Sequence, residues 1–242
     1  MRALTPLIAS LALASGLAAA SGLQVSPVTL SLQPAQNADG LWLSNSGDGV
    51  VHAQVRVYHW SQENGSERQT PSRGLVVSPP MLTLAAGGRQ LVRVIRTGAP
   101  PNGAGAVEDA YRIEIDELPV KEPASKGLQF VLHYSVPVFV EPVGATAAPA
   151  LQWQLVREGD EASLEAANSG NGHAQVAAVS FIDTGGRRTD LSTGLLGYVL
   201  PGSTMRWKLK APAATFDGGG SLQAMINGEK ATPTLPLSAP AR

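Results

Sequence analysis

What most limits the fold of this chain is a period of two. The stretches LQVSPVTLSL (23–32), GLWLSN (40–45), AQVRVYHW (53–60) and RQLVRVIR (89–96) are short, alternate apolar with polar residues and are rich in β-branched side chains. Successive side chains on a strand point to opposite faces, so each stretch offers one face to a core and the other to water. Gly, Pro, Asn and Ser clusters separate them at strand-and-turn spacing, and the helical period fits poorly beyond residue 20. With 26 glycines and 18 prolines in 242 residues, the expected class is all-β, built as sandwiches.

Residues 1–20, MRALTPLIASLALASGLAAA, read differently. One arginine, a short apolar run and a small-residue ending make a secretory signal, and the run is too short for a membrane span. Removal leaves about 220 residues, enough for one large or two ordinary domains. There are no cysteines, so thiol nucleophiles, thiolate metal sites and disulfides are excluded. The formal charge of −1 points to neither nucleic acid nor an anionic membrane as partner. An exported protein that recognises its partner locally is expected.

The chain carries an internal echo. Residues 45–55 read NSGDGVVHAQV and residues 168–176 read NSGNGHAQV. In each, an apolar strand leads into an Asn/Gly turn and then into a strand beginning His-Ala-Gln-Val. Between the copies, EPVGATAAPALQ (141–152) has a linker's Pro, Gly and Ala content and no apolar periodicity. The expected organisation is two related immunoglobulin-like sandwiches over 21–142 and 151–242, joined by a linker over 143–150.

The stretch GLQFVLHYSVPVFVEP (127–142) alternates at first and then turns almost wholly apolar. Leu128, Phe130, Leu132, Tyr134 and Val136 share one face of such a strand. Pro137 has no N–H for a ladder, which places it at an edge or a bulge. The strand is either an ordinary core strand or an open edge kept for another chain.

Four segments, taken together, resemble the periplasmic pilus-assembly chaperones of the bacterial chaperone–usher pathway, the PapD-like family. They are LWLSNSGD (41–48), VVSPPMLTLAAGGRQLVRVIR (76–96), YRIEIDELP (111–119) and LQFVLHYSVPVFVEP (128–142). NSGNGHAQV and LLGYVLPGSTMRWKL (195–209) carry the likeness more loosely into the second half. The resemblance implies two immunoglobulin-like sandwiches in a boomerang arrangement, with no active site and no cofactor. It implies that the last strand of the first domain fills the groove of a subunit lacking its own final strand, and that the subunit passes to an outer-membrane usher. That pairing is a known case of β-strand addition. Leu128, Phe130, Leu132 and Tyr134 are then the groove-filling donors. Burying three large apolar side chains gives roughly 5–9 kcal/mol gross, much of it offset by ordering and lost rigid-body freedom. A self-capping homodimer in the absence of subunit is left open.

The family's basic anchor for the subunit's terminal carboxylate is missing. The arginine of the first strand falls at Val28 or Thr29, and the lysine of the last strand at Pro137; the basic residue before the closing proline is Glu141. This departure is similar to the divergent or archaic branch. Arg112, on the penultimate strand, and His133, on the donor strand, are the candidate replacements, since charge-assisted hydrogen bonds suit the task. Against this, Arg112 also reads as an exposed strand charge paired with Glu114, and His133 as a merely exposed histidine. Arg93 and Arg96 read as surface or fold-stabilising residues.

No recognisable catalytic motif occurs. The four histidines are scattered, His52 and His173 matching each other in the echo, and EIDE (114–117) reads as a solvated strand face. The protein is therefore expected not to be an enzyme. The other reading is a structural or adhesive tandem immunoglobulin-like protein whose 128–140 strand is internal.

Overall fold

The computed structural model describes residues 22–119, 131–144, 147–233 and 235. The expected export segment, part of the linker, and Leu128 and Phe130 lie outside these residues. The first ten strands are β1 (Leu23–Ser26), β2 (Leu30–Leu32), β3 (Ala38–Asn45), β4 (Val51–Glu63), β5 (Ser66–Pro71), β6 (Leu75–Ser78), β7 (Met81–Leu84), β8 (Arg89–Arg96), β9 (Asp109–Leu118) and β10 (His133–Val140). They form one sheet in the order β1-β3-β8-β6 and a facing sheet in the order β2-β10-β9-β4-β5, with β7 also on β4. The chain changes sheets between β1 and β2, at a cis Ser26–Pro27 bond.

Alternation in sequence becomes alternation in burial. In β3, Leu41, Leu43 and Asn45 point inward while Trp42 and Ser44 do not, and β8 repeats the pattern with Val92, Val94 and Arg96 inside. Facing them across the core are Val55, Ile113, Ile115 and Val138. Each such side chain contributes about 1.5–3 kcal/mol when removed from water.

Eight more strands make a second sandwich: β11 (Leu151–Glu158), β12 (Glu161–Asn168), β13 (Ala174–Asp183), β14 (Arg188–Asp190), β15 (Leu195–Val199), β16 (Thr204–Lys208), β17 (Gly220–Ile226) and β18 (Glu229–Ala231). Their sheets run β11-β12-β16 and β14-β13-β17-β18, with β15 also on β13. Leu155, Leu164, Phe181, Phe216 and Leu222 fill the space between. The only helical turn among the described residues is a short 3-10 segment, Ala213–Phe216.

The echo in the sequence is a repeated knot of hydrogen bonds. Asn45 ends β3 and Asn168 ends β12, and each is 2% exposed. The Asn45 amide donates to the carbonyls of Gly49, Leu84 and Ala85, while its oxygen accepts from Gly47 N. The Asn168 amide donates to Gly172 and Val199, and its oxygen accepts from Gly170 N and Ala150 N. The following serines repeat as well: Ser46 N donates to Gly22 O, and Ser169 N to Ala150 O. So do the facing turns, where Gly87 N donates to Asn45 O and Gly202 N to Asn168 O. Glycine is required where the linker arrives, because a Cβ at Gly170 would sit 2.3 Å from Ala148 O.

The sandwiches meet through a small core of their own, made of Trp60, Ala110 and Phe139 from the first and Tyr198 and Leu200 from the second. Gln62, also buried, runs alongside it. Its Nε2 donates to Tyr198 O at 2.9 Å and its Oε1 accepts from Leu200 N at 2.8 Å, so a side-chain amide satisfies the backbone as a neighbouring strand would. Glu108 completes the contact, its Oε1 accepting from His173 N and lying 2.8 Å from His173 Nδ1, while the His173 ring stacks on Phe139 at 3.5 Å. His52, the matching histidine, meets Thr83 Oγ1 at the surface instead.

Replacing Asn45 or Asn168 with alanine strands several buried backbone groups at once, at about 2–4 kcal/mol each by chemical denaturation. Asn45→Asp should be no better than alanine, because a carboxylate would face three carbonyls. Gln62→Ala should cost about 1–3 kcal/mol and split thermal unfolding into two calorimetric transitions. A single unshifted transition would show that the clasp does not couple the sandwiches.

Candidate functional site

β10 is paired along its whole length on one side and along only part of it on the other. β9 accompanies it from His133↔Asp116 to Val140↔Asp109, whereas β2 joins only at Val138, Phe139 and Val140. Among the described residues the second edge of β10 is therefore open over 133–137. The hydrogen bonds fix which residues use it. Glu117 N donates to Leu132 O, and Glu141 N donates to Leu32 O. Backbone groups alternate in direction along a strand, so even-numbered residues bond towards β9 and odd-numbered ones towards β2 or the open edge. His133 and Ser135 thus turn their N–H and C=O groups outward. Pro137 occupies the next outward position, where its missing N–H takes nothing from the β9 ladder.

Side chains follow the same alternation. Val136, Val138 and Val140 lie in the core, and Leu132 and Tyr134, half-buried, pack at its margin, with Tyr134 Oη donating to Leu23 O. The opposite face carries His133, Ser135, Pro137 and Phe139, and it continues across β9 through Asp116, Glu114, Arg112 and Ala110. On β4 it includes Tyr58, which is in register with Arg112, and on β5 it includes Gln69, in register with Trp60. Its inner end is closed by the small core between the sandwiches.

Arg112 sits in the middle of this face, directly opposite Pro137. Its guanidinium carbon lies 3.7 Å from the centre of the Trp60 ring and 5.3 Å from that of Tyr198, so both sandwiches contribute aromatic surface. The side chain is 11% exposed, and its Nε is buried without a hydrogen-bond partner. Burial lowers its pKa against the opposing pull of Glu67, Tyr198 and Glu114. Its ion pair among the described residues is with Glu67, at 3.6 Å, and not with Glu114. A guanidinium has five donors, and this one is left with capacity to spare.

Glu114, expected on a solvated face, is instead buried. Gln69 Nε2 and Ser135 Oγ both donate to its Oε1, and His133 Nε2 lies 2.8 Å from its Oε2. His133 Nδ1 is 2.8 Å from Asp116 Oδ1, so both ring nitrogens face carboxylates of β9. Partial burial works to raise the Asp116 pKa, but the hydrogen bonds from His133 and Arg56 outweigh it and hold the carboxyl below its usual range. His133 is thus engaged in fastening β10 to β9.

The other positions singled out in the sequence fall elsewhere. Val28 and Thr29 are exposed in the crossing between β1 and β2. Arg93 is exposed on β8, and Arg96 is buried, its Nη2 donating to Pro34 O and Asn37 Oδ1. Sequence reasoning did not find Trp60, Gln62, Glu67, Glu108 or Tyr198. One signal was present: Tyr58 and Trp60 fall on the polar face of β4, and large aromatics on such a face call for a cover. Among the described residues no cluster of His, Asp and Glu could hold a metal ion.

Comparison with known proteins agrees with this fold. No curated protein matches the chain in sequence. The fold is similar to that in the chaperone–tip adhesion subunit complex CsuC–CsuE from archaic Csu pili of Acinetobacter baumannii, with TM-score 0.70 and 21% identity over 90% of this chain and 99% of that one. It is similar to the complex of SafA pilin with the SafB chaperone of Salmonella enterica, with TM-score 0.61 and 18% identity over 88% and 96%. The E. coli chaperone DraB gives TM-score 0.60 and 19% identity over 89% and 97%. The model of the PapD N-terminal domain, described as a pili and flagellar-assembly chaperone, matches residues 22–146. With more than half of its length matched, the chain belongs to the family of pili and flagellar-assembly chaperones.

Proposed function

We propose that the protein is a periplasmic chaperone that holds pilus subunits through the open edge of β10 and passes them to an outer-membrane usher. The observation that carries this reading is the unpaired edge over 133–137 beside an under-satisfied, buried arginine. An incoming strand would take the outward N–H and C=O groups of His133 and Ser135 and continue the sheet. Leu132 and Tyr134, half-exposed at the margin of the core, would extend it into the subunit's groove, joined by Leu128 and Phe130.

Arg112 would bind the terminal carboxylate of the subunit. It lies across from the position where a lysine was expected, and its guanidinium is already desolvated and oriented by Trp60 and Tyr198. A carboxylate arriving there could be gripped bidentately, the strongest geometry open to arginine. His133 takes the other role, holding the first half of β10 in place for pairing.

Arg112→Ala should leave the far-ultraviolet circular dichroism of the purified chaperone unchanged. It should lower recovery of a co-expressed subunit by about ten- to a hundredfold, as expected for a charge-assisted hydrogen bond of roughly 1.5–3 kcal/mol. Full recovery of the complex with the variant would remove Arg112 from the site.

A further inference from the structure

We propose that Glu67 is a built-in competitor at the carboxylate site, occupying Arg112 until the terminus of a subunit displaces it. This rests on the carboxylate-binding role of Arg112 and adds regulation to that site.

The two members of the ion pair are held very differently. Arg112 is fixed from several sides: β9 is bonded to both β4 and β10, the guanidinium lies over Trp60, and Tyr198 approaches from the second sandwich. Glu67 stands on β5, which is the last strand of its sheet and pairs only with β4 among the described strands. Its side chain is 39% exposed, against 11% for Arg112. If the contact opens, the carboxylate swings into solvent and the cation stays where it is.

The contact itself is loose. At 3.6 Å between Arg112 Nη2 and Glu67 Oε2, it lies outside the 2.7–2.9 Å of a charge-assisted hydrogen bond. Attraction is therefore coulombic and undirected, and it leaves the buried Nε without a partner. The acidic residue next to Arg112 on the same face of β9 cannot take Glu67's place. Glu114 is committed to Gln69, Ser135 and His133.

These features suit an exchange. Without any anion, a desolvated guanidinium is costly, and Glu67 limits that cost in the empty chaperone. A free C-terminal carboxylate can improve on it by approaching closer and in two-point geometry. A neutral chain end cannot. Glu67 thus sharpens the preference for a true terminus and, by competing for Arg112, lowers the affinity so that the subunit can be released.

The test is fluorescence polarisation with a short labelled peptide of alternating valine and threonine, made once as the free acid and once as the C-terminal amide. Wild-type protein should bind the acid more tightly than the amide. Glu67→Gln should tighten binding of the acid by about two- to fivefold, the size of a partly exposed ion pair, and leave the amide unchanged. In an Arg112→Gln background the same change should have no effect. An acid preference that Glu67→Gln leaves unaltered would overturn the competitor and keep Arg112 as the anchor. Equal binding of acid and amide by the wild type would remove the anchor, and the competitor with it.

Discussion

Gln62 clasps the two sandwiches together, and the face that carries Arg112 depends on it. Its amide pairs with Tyr198 O and Leu200 N, two backbone groups of the second sandwich that would otherwise be buried without partners. That pairing sets Tyr198 and Leu200 against Trp60 and Phe139 in one buried cluster. Trp60 in turn supplies the ring beneath Arg112, and Tyr198 the second aromatic surface beside it. The second sandwich thus helps to build the surroundings of Arg112, although the strand proposed to meet a partner belongs entirely to the first.

Polar groups on this face divide into those that are satisfied and a few that are not, among them Arg112 Nε and Trp60 Nε1. Glu114 and Asp116 are matched by Gln69, Ser135, His133 and Arg56, and the match fastens β10 to its neighbours. Arg112 combines burial, aromatic support and an orphaned donor with a positive charge. Buried polar groups in folded proteins are normally hydrogen-bonded, so the unpaired Nε supports the carboxylate-binding role proposed for Arg112. It lies opposite Pro137, next to the unpaired edge of β10.

Much of this was legible in the residues. Period-two alternation gave the strands, and the NSGDG and NSGNG copies located equivalent turns, because a buried asparagine that closes a turn leaves a compact local signature. Pro137 announced an edge, since proline cannot donate to a ladder. Two expectations shifted on contact with the fold. EIDE was expected on a solvated face, yet Glu114 is buried by side chains from β5 and β10 that lie far away in sequence. Arg112, which had also read as an exposed charge beside Glu114, is mostly covered and pairs with Glu67.

By itself the sequence determined the all-β class, the repeated asparagine turns and the unusual final strand of the first sandwich. These depend on neighbours within a few residues, where alternation, glycine and proline act directly on the backbone. Only the tertiary structure decided that β2 covers β10 just from Val138 onward, and that Trp60, Tyr198 and Glu67 converge on Arg112. The reason is physical: strand register and the packing of one sandwich on another join residues separated by tens of positions or more, and local patterning does not encode which of those faces will meet.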